Sequence, residues 1–264
     1  MNRLVGTELL KLRTTRMWWV LLITAAALIA LVAVLNAAFA GASVGGTPSG
    51  IGAPTDPAVL RTLYGVALNT GSIFPLVIGI LGMTGEYRHQ TITPSLLAVP
   101  RRGRLVAAKV IAYFLVGLGM GVVMTVVAVA AAGTTIVARG YPLGLGADGV
   151  PRTIGLAILG CGIWAVFGLG LGTLVRNQIA AIVIALAAEL LVEQLLIFFL
   201  NRTSAGGRVA QFLPSAANRA MEAGTTAGLD ERLLPWWGGA LTLTGWGLVL
   251  AALGLLVTTR RDVT

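Results

Sequence analysis

Long runs of uncharged apolar residues divide this chain, and they restrict its possible folds more than any other feature. The first run, Met17 to Ala40, contains 24 residues without a charge, and about 20 apolar residues suffice for a helix to cross a bilayer. Because hydrocarbon offers no hydrogen-bond partners, such a segment must satisfy its backbone internally as a helix. Only 11% of the residues are charged, against about 25% in soluble domains. The sequence predicts an all-α integral membrane protein.

Six mostly apolar runs of about this length occur, and we call the helices that they predict spans 1 to 6. We expect residues 1–264 to form a single transmembrane domain. The predicted limits of the spans are about 17–40, 63–84, 105–132, 153–175, 179–200 and 235–257.

The residues before span 1 show a helical pattern of their own. Val5, Leu9 and Leu12 fall on one helical face, with Lys11 on another, so residues 1–16 predict an amphipathic helix lying in the membrane interface. An unstructured basic tail is the alternative. A signal peptide would have an apolar region of about 7–15 residues, and span 1 is longer.

The distribution of cations predicts the topology. With both termini in the cytoplasm, twelve of the 19 Lys and Arg residues fall in inside segments and seven in outside loops, as the positive-inside rule requires. This placement accounts for the net charge of +9 without a nucleic-acid partner. The twelve inside cations are Arg3, Lys11, Arg13, Arg16, Arg88, Arg101, Arg102, Arg104, Lys109, Arg176, Arg260 and Arg261.

The interval between spans 2 and 3 is the most polar part of the cytoplasmic side. Residues 85–109 carry five cations and one acid, Glu86, and each charge would cost about 2.5–3.5 kcal/mol at the bilayer centre. We therefore expect residues 85–104 to form a loop in water. Few helix breakers interrupt the stretch from Glu86 to Leu97, so a short surface helix is predicted there, ended by Pro100.

Five residues of this interval follow the pattern E-x4-T-x8-P-x-R-x6-K, formed by Glu86, Thr91, Pro100, Arg102 and Lys109. The pattern resembles the loop between the second and third membrane helices of type-2 ATP-binding-cassette (ABC) exporter permeases, particularly small actinobacterial members. Gln90 departs from it, since many members have Gly there. A solvated basic loop that only enforces topology is the alternative.

The resemblance implies a coupling helix that rests in a groove of a separate cytoplasmic ATPase subunit. It makes Glu86, Tyr87, Arg88 and Thr91 the expected ATPase contacts, with Pro100 and Arg102 completing the loop. It further implies a homo- or heterodimer of permease subunits in the bacterial cell membrane, exporting a substrate that the sequence does not identify. The other arginines of the loop are expected to contact anionic membrane lipids.

Chemistry of its own is not expected from this chain. No G-x4-G-K-[ST] motif occurs in the sequence, so ATP and Mg would bind to the partner. His89 and Cys161 are the sole histidine and the sole cysteine, which argues against a metal site or a Ser–His protease. We therefore expect a protein that is not an enzyme, with no cofactor of its own.

Glu189 and Glu193 stand inside predicted span 5, four residues apart and so on one helical face. Acids within a membrane helix are candidates for proton or cation transport, although a structural or interfacial role is the alternative. An alternative function is therefore a secondary transporter that uses Glu189 and Glu193 for protons or cations. A non-transporting scaffold or signalling partner is another alternative.

Three further patterns predict packing. Span 2 contains the polar or helix-disturbing residues Asn69, Thr70, Ser72 and Pro75, and interhelical hydrogen bonding is expected there. The alternative is that these residues line a substrate path. Gly168-x3-Gly172 in span 4 predicts close contact between helices, within one subunit or between two. Pro214 is expected to begin a short helix before span 6. The resembling family often has short re-entrant helices at this place.

Overall fold

The computed structural model describes residues 2–44, 47–48, 51–88, 102–175, 177–222 and 233–260. These residues form helices, apart from connecting turns and a small antiparallel ribbon of two strands. The elements are α1 (Asn2–Thr14), α2 (Met17–Phe39), β1 (Ser43–Val44), β2 (Thr47–Pro48), α3 (Pro57–Asn69), α4 (Ile73–Arg88), α5 (Arg102–Ala138), α6 (Val150–Leu174), α7 (Gln178–Ala187), a π-helix (Ala188–Val192), α8 (Glu193–Leu200), α9 (Ser204–Ala210), α10 (Pro214–Glu222) and α11 (Trp236–Arg260).

Six helices are long and apolar enough to cross a membrane, which confirms the predicted fold class. Span 1 is α2, span 3 is α5, span 4 is α6 and span 6 is α11. Span 2 comprises α3 and α4, and span 5 comprises α7, the π-helix and α8.

Span 2 is longer than the apolar run that predicts it. It begins at Pro57, where the sequence places its start near residue 63, and it continues to Arg88. The Asp56 carboxylate accepts a hydrogen bond from the Ala58 N–H at 2.8 Å, and Pro57 follows in the first turn. A capping acid and a proline are both favoured at a helix start, so polar residues extend the helix beyond its apolar part.

A break at residues 70–72 divides span 2 into α3 and α4. Pro75 explains this break, because it has no N–H to donate to Gly71, four residues earlier, and its ring crowds that carbonyl. Span 5 is also irregular, with a π-helix of five residues in its middle. The two irregular regions lie against each other through a hydrogen bond from Ser72 to Glu189.

Span 4 is the centre of the bundle. It packs against spans 2, 3 and 6. Of an apolar stretch of 18 residues in each helix, 67% is buried in span 4 and 11% in span 5. Its glycines make this packing possible. A Cβ on Gly168 would overlap the Leu76 carbonyl of span 2, and one on Gly172 would lie 2.8 Å from the Ile80 oxygen. The Gly168-x3-Gly172 face therefore packs within the subunit.

Between spans 5 and 6 the chain forms two short helices. Thr203 caps α9 by accepting a hydrogen bond from the Gly206 N–H at 3.1 Å, and α10 begins at Pro214, as the sequence predicts. α10 packs against α11 and α3, and its residues are mostly buried. It is thus a part of the bundle and not a surface loop.

Candidate functional site

Four charged side chains meet where α1 crosses the ends of spans 2 and 3. Lys11 donates hydrogen bonds to Glu8 at 2.8 Å and to Glu86 at 2.9 Å. Lys109 donates to Glu8 and lies 3.0 Å from Glu86. We call these four residues the ion-pair quartet. Because Glu8 and Lys11 come from α1, Glu86 from α4 and Lys109 from α5, the quartet ties three elements together.

Burial makes this arrangement energetically important. The side chains of Glu8, Glu86 and Lys109 are each less than 10% exposed, whereas that of Lys11 is 42% exposed. Removing one partner of a buried ion pair leaves an uncompensated charge and costs about 3–5 kcal/mol. With two carboxylates and two ammonium groups, the quartet is charge-balanced. The Lys109 ammonium also lies 5.8 Å from the centre of the Tyr113 ring, within range of a cation–π interaction.

The pKa values of the two α1 residues reflect competition between burial and pairing. Burial raises the pKa of Glu8, but the Lys109 and Lys11 ammonium groups outweigh this effect and hold it below the ordinary value. Burial lowers the pKa of Lys11, and hydrogen bonds to Glu8 and Glu86 reverse that shift and raise it. Both residues are therefore ionised at neutral pH.

The structure describes part of the predicted coupling loop. Glu86 is buried in the quartet, Tyr87 packs against the buried cluster of Met83, Tyr113 and Leu169, and Arg88 is exposed at the end of α4. Thr91 and Pro100 lie outside the described residues. Arg102 is the first residue of α5. Residues 85–88, which the sequence places in the loop, continue the helix of span 2.

The sequence predicts neither the pairing of Glu8 with Lys109 nor the position of Lys11. The apolar pattern places Lys11 on the polar face of α1, yet it reaches Glu86, and the buried face of α1 includes the acid Glu8. A signal was present: Lys11 and Lys109 are the only lysines in the chain, among seventeen arginines. Both belong to the quartet.

A second polar cluster lies around the break in span 2. Ser72 donates to Glu189 at 3.0 Å, and the Ser215 N–H of α10 donates to Glu193 at 2.7 Å. Asn69 donates to Glu222, at the end of α10, at 3.2 Å. We call Glu189, Glu193 and Glu222 with these three donors the acidic network. The predicted interhelical hydrogen bonds of Asn69 and Ser72 are confirmed.

Glu222 is the member of the acidic network that the sequence analysis missed, since it lies in a segment predicted as an outside loop. The structure buries its side chain, leaving the residue 4% exposed. Burial raises the pKa of Glu222 to about 8, against the opposing effects of the Asn69 hydrogen bond and the Arg219 charge. Thr153 donates to the backbone oxygen of Glu222 at 3.1 Å, which fixes the end of α10 to span 4.

Beside the ion-pair quartet lies a cavity of about 600 Å³. Its walls come from α1, from the adjoining ends of spans 1, 2 and 3, and from Gln178 at the start of span 5. Among the described residues, no group of three or more His, Cys, Asp or Glu side chains is placed to hold a metal ion. The chemistry available here is ion pairing and the binding of charged or apolar groups.

A family model described as "ABC-2 family transporter protein" matches residues 4–191. The match includes the whole quartet, the interval between spans 2 and 3, and Glu189, and it ends before Glu193 and α10. A search of curated proteins finds no match. Six membrane-crossing helices agree with the family match, which covers well over half of the chain. The protein therefore belongs to the ABC-2 family of transporter proteins and is the membrane permease subunit of an ABC transporter.

Proposed function

We propose that this permease subunit exports a substrate from the bacterial cytoplasm, as a dimer that works with two copies of a separate ABC ATPase. Family membership supports a partner ATPase, and the positive-inside distribution of charges supports termini in the cytoplasm. The ATPase would bind at the interval between spans 2 and 3, on the end of the bundle where α1 lies.

The observation that carries this proposal is the ion-pair quartet. Residues 89–101, which include Thr91, connect the end of α4, near Glu86, to the start of α5, near Lys109. A push on this interval would therefore reach both spans and α1 through one set of ion pairs. Because the Glu86 carboxylate already binds Lys11 and Lys109, we assign to it the transmission of movement, and to the interval after Arg88 the ATPase contact.

Purification of the full tagged chain from its native membrane in mild detergent tests the proposal. We expect a soluble P-loop ATPase, at about one copy per chain, among the copurified proteins identified by mass spectrometry. Glu86→Lys should release the ATPase, because a third cation would repel Lys11 and Lys109 and move the ends of α4 and α5, which hold the interval assigned to the ATPase contact. Reproducible isolation of the wild-type chain alone and folded would contradict the proposal.

Asp148→Lys is the matched control for this experiment. It makes the same change of charge at a side chain that is 94% exposed, in the turn before span 4, away from the quartet. We expect this variant to keep the ATPase. Equal elution on size-exclusion chromatography would show that both variants are folded. If the folded Glu86→Lys variant keeps the ATPase, the quartet does not take part in coupling.

For Glu189 and Glu193 we propose a structural role. Each accepts a hydrogen bond from a neighbouring element, Glu189 from Ser72 of the span 2 break and Glu193 from Ser215 of α10. These bonds hold the π-helix of span 5 to the rest of the subunit. Export that persists in the Glu189→Gln, Glu193→Gln variant would support this role. Loss of export with unchanged folding would instead favour a direct transport role.

A further inference from the structure

The cavity beside the quartet has a surplus of positive charge. Among its lining residues, Glu8 and Glu86 are already compensated by Lys11 and Lys109. Arg16 and Arg88 also line the cavity and are exposed. Neither arginine forms an ion pair with another residue in the part of the chain that the structure describes. The cavity therefore attracts an anion.

Apart from these charged residues, the walls of the cavity are largely apolar. Leu12, Met17, Ile78 and Leu81 contribute to the lining. A small hydrophilic anion would leave these side chains without a partner, whereas an amphiphile would cover them and also bind the arginines. The volume of about 600 Å³ is within the range of about 300–1,000 Å³ that small-molecule sites occupy. The chemistry fits an anionic head on an apolar tail.

The position of the cavity indicates where that amphiphile comes from. Arg16 and Met17 mark the start of span 1, Arg88 the end of span 2, and Gln178 the start of span 5. The ends of membrane helices lie at the boundary between hydrocarbon and water, where phospholipid head groups are found. Basic pockets at this depth are suited to anionic lipid head groups.

We propose that this cavity binds one anionic phospholipid, with its phosphate between Arg16 and Arg88 and the part of an acyl chain nearest the head group against Leu81 and Met17. The lipid would fill the space between α1 and the ends of spans 1, 2 and 5. It would thereby link the quartet to the bilayer. This site does not depend on the identity of the ATPase or of the exported substrate.

Native mass spectrometry of the purified full chain tests the proposal. The chain is titrated with phosphatidylglycerol and, separately, with phosphatidylcholine of the same acyl chains, and the bound lipid is counted. We expect one molecule of phosphatidylglycerol to be retained preferentially. Arg16→Gln, Arg88→Gln should lower its apparent affinity about 25-fold, since one cation near an anionic lipid contributes roughly a factor of five.

The matched control is Arg13→Gln, Arg104→Gln. These two arginines are also exposed and lie near the same end of the bundle, but they do not line the cavity. This variant should change the affinity less than about threefold, because only the general attraction of the surface is reduced. A second variant, Leu81→Trp, should also prevent retention, because it fills the apolar part of the cavity and leaves every charge in place.

Three outcomes would overturn the proposal. Equal losses in the two arginine variants would show a non-specific basic surface. Displacement of the lipid by inorganic phosphate at equal concentration would identify a site for a small anion. Retention of phosphatidylglycerol by Leu81→Trp would show that the lipid binds elsewhere, and the cavity would then be free for another occupant such as a segment of the ATPase.

Discussion

The ion-pair quartet and the acidic network both bury carboxylates between helices, but they compensate them differently. In the quartet, Lys11 and Lys109 neutralise Glu8 and Glu86. In the acidic network, Ser72, the Ser215 N–H and Asn69 donate the hydrogen bonds, and these donors are neutral. Arg219 adds a positive charge near Glu193 and Glu222 that does not outweigh their burial. A paired carboxylate is stabilised in its charged form, whereas desolvation favours the protonated form of a buried carboxylate unless its donors and nearby cations outweigh it. The pKa of Glu8 in the quartet is accordingly lowered, and that of Glu222 in the acidic network is raised.

This difference has consequences for movement. Charge-assisted hydrogen bonds in the quartet are strong and directional. They should therefore hold α1 rigidly against spans 2 and 3. The acidic network lies where span 2 is broken and span 5 contains a π-helix. Irregular helices of this kind occur often at functional sites. The comparison predicts that substitutions in the quartet are the more damaging.

The largest effect is expected for Lys109→Met. It leaves Glu8 without its buried partner and removes one of the two cations of Glu86, so we expect a loss of about 3–5 kcal/mol in the free energy of unfolding. Thermal unfolding in detergent would measure it. Lys11→Met is the matched control, and its effect should be smaller, because the Lys11 side chain is 42% exposed. Equal effects would show that burial does not determine the strength of these pairs.

A double substitution sharpens the same test. Adding Glu8→Gln to Lys109→Met removes the carboxylate that has lost its buried partner, so the double variant should be more stable than the sum of the single effects predicts. We expect a coupling free energy of about 0.5–3 kcal/mol. Additive losses would mean that Glu8 and Lys109 do not interact in the folded protein.

The pH dependence of stability should separate the two clusters. Burial raises the pKa of Glu222 from 4.5 to about 8, so between these pH values the folded state binds more protons than the unfolded state. The contribution of Glu222 to stability therefore falls as the pH rises through this window. Glu222→Gln should reduce that fall, and unfolding temperatures measured from pH 5 to pH 8 would show the difference.

The quartet should show the opposite dependence at the Glu8 position. The pKa of Glu8 is lowered in the folded protein, so its contribution is complete above the ordinary pKa of 4.5 and is lost as the pH falls through the lowered value. Glu8→Gln should therefore cost most at neutral pH and least in acid. A cost that grows as the pH falls would contradict the ion pairing of Glu8.

The smallest effect is expected for Ser72→Ala in the acidic network. It removes the hydrogen bond to Glu189 while leaving the other members in place, and one such bond contributes about 0.5–1.5 kcal/mol. Thr244→Ala is a suitable control, because its hydroxyl bonds within its own helix to the Ala240 oxygen. A loss as large as that of Lys109→Met would make the acidic network the stronger of the two clusters.

The sequence by itself determined the six membrane helices and the family resemblance. Hydropathy is a local property of about 20 consecutive residues, so spans 1 to 6 could be recognised without knowledge of their neighbours. The pattern around Glu86 is also local, and the family match to residues 4–191 agrees with it. The start of α10 at Pro214 could be predicted for the same reason, since proline is favoured in the first turn of a helix.

Only the tertiary structure decided which charges meet. Glu8 and Lys109 are 101 residues apart, and Asn69 and Glu222 are 153 residues apart, so no pattern within a single helix brings them together. Helical periodicity places Lys11 on a polar face, but that face becomes a contact once α1 packs against span 3. The pairing of buried charges depends on how helices pack, because a charge in the interior is stable only where its partner is also held.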